Sequence, residues 1–218
     1  MENSTSKTLP KFTIIHFNDV YEIQPDKNQI CGGVSRFDTL IKSYSTQNPI
    51  VLFSGDVWNP SKLGSEFKGQ QCVVPLNTLG VECACLGNHD LDFGDEYASK
   101  LNEQCNFPWL LTNVRNLDGS RLASCVDYHI FEHQGIKIGC LGIGEEDWLT
   151  SLSEIDYEDL AYTDFIESTQ YYSHKLREEH KCDFVIALTH MRIPNDQLLC
   201  AVTKCVDLVL GGHDHVYY

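Results

Sequence analysis

Basic residues are scarce in this chain of 218 residues, which has 16 lysines and arginines against 31 aspartates and glutamates. The formal net charge is −15, and a surface with that charge repels the phosphate backbone of nucleic acids. We therefore expect no nucleic-acid partner. Free phosphate compounds are repelled as well, so a site that handles phosphate would need local positive charge, which bound metal ions can supply.

Long apolar segments are lacking too. No run approaches the roughly 18 to 20 apolar residues that a membrane-spanning helix needs, so we expect no membrane partner. Residues 1–10 are polar and have no apolar core, which argues against a secretory signal. We expect a disordered tail over residues 1–10, a single domain over 11–218 and a cytoplasmic location.

Cysteine is abundant by contrast, with ten residues in the chain. Several lie in apolar runs, such as Cys83 and Cys85 in VECACL and Cys140 in IGCLGI. We interpret them as structural thiols, because buried thiols behave as small apolar side chains and the cytosol keeps them reduced. A metal site at Cys83 and Cys85 is the alternative, but no second pair of ligand residues stands beside them.

Short β-branched and aromatic runs alternate with helical patterns along the chain. Buried strands are predicted at residues 12–17, 49–55, 81–87, 183–190 and 206–212, with two more strands in 129–143. Helices are predicted at residues 34–44, 95–105 and 163–180. This alternation predicts an α/β fold with a largely parallel sheet and helices outside it.

Aspartate, asparagine and histidine follow five of the predicted strands, at the point where each strand ends. The segments are HFNDVY (16–21), SGD (54–56), GNHD (87–90), THMR (189–192) and GGHDH (211–215). In a parallel sheet these loops meet at one edge, where α/β folds bind ligands. We therefore expect convergence of Asp19, Asp56, Asn88, His89, His190, His213 and His215.

The donor atoms of this set indicate a transition-metal centre. Carboxylate and amide oxygens together with imidazole nitrogens suit Mn, Fe, Zn or Ni better than Ca. Six ligands are too many for one tetrahedral ion and fit two ions that share a bridging carboxylate. The flanking glycines Gly87, Gly211 and Gly212 allow tight turns and a close approach of the backbone.

The order of these motifs resembles the signature of calcineurin-like metallophosphoesterases. The flanking segments HFND, GGVSRFDTL and FPWLLTNV resemble the 5′-nucleotidase branch in particular. The resemblance implies a four-layer α/β/β/α sandwich and two divalent metal ions, drawn from Mn, Zn, Fe, Co and Mg. It also implies a small-molecule phosphate ester as substrate, with a nucleotide monoester as the first choice. A phosphodiester or sugar-phosphate substrate and a catalytically impaired protein remain alternatives.

The resemblance assigns six residues to two ions that share one ligand. These are Asp19 and His215 for the first ion, Asp56 as the bridge, and Asn88, His190 and His213 for the second. His89 and Asp92 match the family's catalytic dyad, in which the histidine protonates the leaving oxygen while the ions activate the attacking water. A helix N-cap role is the alternative for Asp92. The acidic run 145–147 is interpreted as a solvated turn.

The sequence departs from the family's pattern at two places. Tyr21 stands where the motif D-x-H has histidine, and neutral tyrosine is a poor ligand for divalent ions. We expect Tyr21 to pack or hydrogen-bond beside the site, and phenolate ligation of a trivalent ion is the alternative. The chain also stops three residues after His215, so we expect the second sheet and the C-terminal nucleotide-binding domain to be missing.

Overall fold

Two four-stranded sheets organise residues 11–28 and 30–216, which are the residues that the computed structural model describes. The predicted tail of residues 1–10 lies outside this described part. The first sheet contains only parallel pairs, and its strands follow each other in chain order. They are β1 (Ile14–Phe17), β2 (Ile50–Phe53), β3 (Val81–Cys85) and β4 (Trp109–Leu110).

Six later strands of the described chain form the second sheet and a separate pair of strands. These strands are β5 (Val114–Asn116), β6 (Tyr128–His133), β7 (Ile136–Gly144), β8 (Leu160–Tyr162), β9 (Phe184–His190) and β10 (Leu208–Leu210). Four of them pair in the order β10-β9-β7-β6, with only β6 antiparallel, while β5 and β8 form a separate antiparallel pair.

The presence of this second sheet corrects two expectations. The prediction that the second sheet is missing is wrong, because four of its strands lie among the described residues. The expected parallel pairing is confirmed, but its strands are divided between two sheets, because β9 and β10 pair with β7 rather than with the first sheet. An apolar run that is buried on both faces does not reveal which neighbour it pairs with.

The described chain contains seven α-helices. They are α1 (Val34–Ser43), α2 (Lys62–Phe67), α3 (Gln70–Leu79), α4 (Asp95–Asn102), α5 (Glu146–Leu149), α6 (Phe165–Glu178) and α7 (Ile193–Val202). The predictions of α1, α4 and α6 are confirmed. Helices α2, α3, α5 and α7 were not predicted. Pro75 lies inside α3, where proline normally disrupts a helix, whereas Pro194 lies in the first turn of α7, where proline is tolerated. None of the helices in this part of the chain is long and apolar enough to cross a membrane.

Three apolar clusters separate the molecule into layers. The middle cluster lies between the sheets, where Leu52 and Cys85 of the first sheet share it with Cys140 and Ile186 of the second. Outer clusters join the first sheet to α1, α3 and α4, and the second sheet to α6 and α7. The four-layer α/β/β/α sandwich is thereby confirmed. Six of the ten cysteines are buried, as expected for structural thiols.

Candidate active site

The site lies where the carboxyl ends of strands from both sheets meet. The loops after β1, β2 and β3 come from the first sheet, and those after β9 and β10 come from the second. Direct hydrogen bonds join these loops: the Asp19 backbone N–H donates to Gly55 O at 2.9 Å, and His190 Nδ1 donates to Ser54 O at 2.7 Å. The sandwich therefore assembles the site across two sheets rather than along one edge.

Four of the six predicted ligands have a backbone in the left-handed region. The φ angles are 53° at Asp19, 64° at Asp56, 78° at His213 and 53° at His215. Each such conformation costs a non-glycine residue about 1–3 kcal/mol and persists only where its surroundings enforce it. Strain of this kind clusters at functional sites, so the conformations themselves point to these loop positions.

Asp90 and two glycines hold the loop that carries Asp56. The buried Asp90 carboxylate accepts hydrogen bonds from the backbone N–H groups of Asp56 (2.9 Å), Val57 (2.8 Å) and Gly87 (2.9 Å). Burial raises the pKa of Asp90 to about 6. A Cβ on Gly87 would collide with the Asp56 carboxylate, and one on Gly212 would lie 2.5 Å from Ser54 O. These positions need glycine because other chain segments approach so closely.

We define the second set as Asp56, Asn88, His190 and His213, whose donor atoms face one another. Asn88 Oδ1 lies 3.2 Å from His190 Nε2 and 3.1 Å from His213 Nδ1. Asp56 Oδ2 lies 3.1 Å from the same His190 Nε2. Because His190 Nδ1 donates to Ser54 O, its Nε2 is the nitrogen that is directed at the set. Burial lowers the pKa of His190, but the Asp56 carboxylate outweighs it and raises the pKa to about 9.

The chemistry of the second set fits a divalent transition-metal ion. It offers two imidazole nitrogens, one amide oxygen and one carboxylate oxygen, and the potential ligand atoms of Asp56, His190 and His213 all lie within 4.8 Å of one another. Mixed nitrogen and oxygen ligands of this kind suit Mn, Fe, Co or Zn. An ion here would have to displace the proton that Asp56 favours on His190, so metal binding would release protons.

Glu145 is a site residue that the sequence reasoning missed. Its side chain is 1% exposed, so the interpretation of the acidic run as a solvated turn is wrong at this position. Oε2 accepts hydrogen bonds from the Arg192 backbone N–H at 2.9 Å and from Asn195 Nδ2 at 2.6 Å. Oε1 lies 3.6 Å from His213 Nε2. A carboxylate on that side favours the proton on Nε2 and leaves Nδ1 free as a ligand.

Replacement of Glu145 by glutamine should weaken metal binding in the second set. The change keeps the size of the side chain but removes the negative charge that faces His213 Nε2 at 3.6 Å and Arg192 Nε at 3.4 Å. Losing a carboxylate that orients a ligand histidine typically lowers metal affinity by about 10- to 100-fold. Competition for Mn²⁺ against a chelator measures the effect. Glu146→Gln is the matched control, because Glu146 is the exposed neighbour. Equal affinities in the two variants would contradict the role of Glu145.

We define the first set as Asp19, Asp56 and His215. Asp19 Oδ1 lies 3.1 Å from His215 Nε2. The Tyr21 hydroxyl oxygen contacts all three members, at 3.1 Å from Asp19 Oδ1, 2.8 Å from Asp56 Oδ2 and 3.0 Å from His215 Nε2. Burial together with the two carboxylates raises the pKa of Tyr21 above its usual range. The first set offers donors of the right type, but it shares its space with a phenol.

His89 and Asp92 form a hydrogen-bonded pair beside both sets. His89 Nδ1 lies 2.9 Å from Asp92 Oδ2, which also accepts a hydrogen bond from Asn59 Nδ2 at 2.6 Å. The hydrogen bond to Asp92 raises the pKa of His89. The alternative role of Asp92 as a helix N-cap is wrong, because Gly94 is the N-cap of α4. The pair can hold a proton on His89 Nε2, where the imidazole is partly exposed.

The structure thus brings all eight predicted site residues into one region. Six of them belong to the two sets, and His89 and Asp92 form the adjoining pair. The second set has a complete group of facing donors, whereas the first set is crossed by Tyr21. Such an arrangement can bind a phosphate group through cations and supply a proton from His89.

Comparison with known proteins identifies the family of the domain. The family model for calcineurin-like phosphoesterases matches residues 12–217. A snake venom 5′-nucleotidase of Gloydius brevicauda is 31% identical over 95% of this chain and 37% of its own length. The structure of an NAD nucleotidase from Haemophilus influenzae superposes with a TM-score of 0.83 at 24% identity, over 95% of this chain and 39% of that one. For a 5′-nucleotidase precursor from Thermus thermophilus, the TM-score is 0.84 at 22% identity, over 94% of this chain and 42% of that one.

The chain spans less than half the length of these relatives, at 37%, 39% and 42%. The match to the family nevertheless runs through nearly the whole of the chain and includes every strand end that contributes to the site. The chain therefore belongs to the calcineurin-like phosphoesterase family.

Proposed function

We propose that this domain hydrolyses phosphate monoesters with the help of divalent metal ions, and that its substrates are nucleotides. The observation that carries the proposal is the convergence of two donor sets on the Asp56 carboxylate, with the pair of His89 and Asp92 beside them. When bound, the ions would neutralise phosphate oxygens and provide an activated water. They would also overcome the repulsion that a net charge of −15 exerts on a phosphate ester.

The chain's own residues supply the remaining chemistry. His89 is oriented by Asp92 through Nδ1, so its other nitrogen can carry a proton toward the leaving oxygen of the ester. Asn59 fixes Asp92 by a hydrogen bond of 2.6 Å to the same carboxylate oxygen. The His89 backbone N–H donates to Asp56 Oδ1 at 2.8 Å, which ties the proton donor to the residue that both sets share. Proton transfer and phosphate binding are thereby held in one geometry.

The relatives support nucleotides as the class of substrate. The venom enzyme and the Thermus protein are named as 5′-nucleotidases, and the Haemophilus protein as an NAD nucleotidase. Each carries more than half of its length outside the region that this chain matches. We therefore propose nucleotides as a class of substrate and assign to this domain the contacts with their phosphate end.

A substrate panel tests the proposal. We expect Mn²⁺-supplemented protein to release phosphate from AMP and from p-nitrophenyl phosphate, and to leave bis(p-nitrophenyl) phosphate largely intact. AMP, a phosphodiester and a sugar phosphate should be compared at equal concentration, with His190→Ala as the negative control. Faster cleavage of the diester or of the sugar phosphate than of AMP would contradict the nucleotide assignment. Inactivity toward all of them would contradict hydrolysis itself.

A further inference from the structure

The Tyr21 hydroxyl occupies the middle of the first set. Its oxygen lies 2.8 Å from Asp56 Oδ2, 3.0 Å from His215 Nε2 and 3.1 Å from Asp19 Oδ1. These are the donor atoms that an ion in this set would need. A hydroxyl has one proton, and with two carboxylates as neighbours it donates that proton toward them. The proton, and not a lone pair, therefore points into the space between the ligands.

The second set differs in this respect. Asn88 Oδ1, His190 Nε2 and His213 Nδ1 face one another at 3.1 to 3.2 Å, and the contacts between them are made by ligand atoms alone. The backing groups, Ser54 O and Glu145, contact the outer sides of the imidazoles. The Tyr21 hydroxyl contacts the second set at Asp56 Oδ2, the ligand that both sets share, so an ion can enter between Asn88, His190 and His213 without breaking a hydrogen bond from a residue that is not itself a ligand.

We propose that Tyr21 acts as a hydrogen-bonded plug in the first set, so that the protein binds one divalent ion tightly in the second set and a further ion only weakly. This inference rests on the proposed function in taking the bound species to be divalent ions. An ion in the first set has to break the hydrogen bond that the Tyr21 hydroxyl donates to the charged carboxylates of Asp56 and Asp19. Hydrogen bonds to charged groups of this kind correspond to about a 10- to 100-fold change in an equilibrium constant.

An apolar cavity gives the Tyr21 ring room to move aside. The cavity has a volume of about 710 Å³ and is lined by Phe17, Ile23, Phe37 and Leu76 as well as by Tyr21 itself. The ring otherwise contacts His89 at 5.8 Å and His215 at 5.3 Å between ring centroids. Rotation into the cavity would remove the hydroxyl from all three donor atoms. Binding of the weaker ion is thus coupled to a rotation of Tyr21.

Titration with Mn²⁺ tests the proposal through binding itself. The measurement is isothermal titration of the metal-free full chain, with metal analysis after dialysis to count the ions that remain. Wild type should retain one ion and bind a second weakly. Tyr21→Phe removes the hydroxyl and should tighten the second ion by about 10- to 100-fold, because no hydrogen bond has to be broken. Tyr21→His adds a nitrogen ligand, so it should tighten the second ion at least as much and retain two ions through dialysis.

Tyr171→Phe is the matched control, since Tyr171 is 62% exposed on α6. Two tightly bound ions in wild type would overturn the proposal. Weaker binding of the second ion by Tyr21→Phe than by wild type would also overturn it and make tyrosine a ligand. If Tyr21→Phe does not fold, as judged by circular dichroism, Tyr21→His decides by the number of retained ions. Phosphate release is measured in the same samples, so one tight ion without hydrolysis would leave the plug standing and reject only the proposed function.

Discussion

Replacement of His89 by alanine is expected to slow phosphate release by about 100- to 10,000-fold, the usual contribution of a general acid or base. His89 Nδ1 is bound to Asp92 at 2.9 Å, which directs the other nitrogen away from that carboxylate and toward the partly exposed face of the site. The imidazole contributes no atom to either donor set. The leaving oxygen would lose its proton donor, while the ions would keep every ligand. Bound metal should therefore stay at the wild-type level.

The measurement pairs turnover of AMP with metal analysis of the same purified protein. His174→Ala is the control, because His174 is an exposed histidine on α6 that lies outside the site. Asp92→Asn should lower turnover in the same direction, since it weakens the hydrogen bond that orients His89. If His89→Ala loses its metal along with its activity, then His89 is a ligand and its assigned role is wrong.

Replacement of Asp56 by asparagine should instead deplete the protein of metal. Asp56 is fully buried, and its Oδ2 lies 3.1 Å from His190 Nε2 in the second set and 2.8 Å from the Tyr21 hydroxyl in the first. The substitution keeps the shape of the side chain but removes the only charge that both sets share. We expect a larger loss of affinity than the about 10- to 100-fold expected for Glu145→Gln, which only orients a ligand.

Thermal unfolding with and without Mn²⁺ gives an independent measure of this loss. An ion that binds only the folded state raises its stability, so wild type should melt at a higher temperature when Mn²⁺ is present. Asp56→Asn should show little or no such rise. Asp118→Asn is the control, because Asp118 is exposed in a turn before β6. If Mn²⁺ raised the melting temperature of Asp56→Asn as much as that of wild type, the bridging role of Asp56 would be contradicted.

The strand-end rule, by which polar side chains that follow the carboxyl ends of strands are expected to converge, located the site from the sequence. It did so because chemistry and topology act together there. Asp, Asn and His side chains at or just after the ends of β1, β2, β3, β9 and β10 all reach one region, although the strands belong to two sheets. The rule works across both sheets because the sandwich brings their carboxyl ends together. Applied to β7 as well, it would have found Glu145, which directly follows the last residue of that strand.

Other features could not be derived from the sequence. The pairing of β7 with β9 depends on contacts between runs that are apolar on both faces, and no local pattern distinguishes such runs. Helix α3 contains Pro75, which normally ends a helix rather than lying within one. The position of the Tyr21 hydroxyl depends on three residues up to 194 positions away in the chain. Tertiary packing determines each of these features.

The most direct test of the account is the rate of AMP hydrolysis by metal-stripped protein, measured before and after addition of Mn²⁺. The residues that converge at Asp56 are a metal centre in this account, and His89 acts only on a phosphate group that ions hold in place. We predict no turnover in the stripped protein and recovery of turnover as Mn²⁺ is added. Turnover that persists without metal, or that does not return with Mn²⁺, Co²⁺ or Zn²⁺, would contradict the assignment of these residues to a catalytic metal centre.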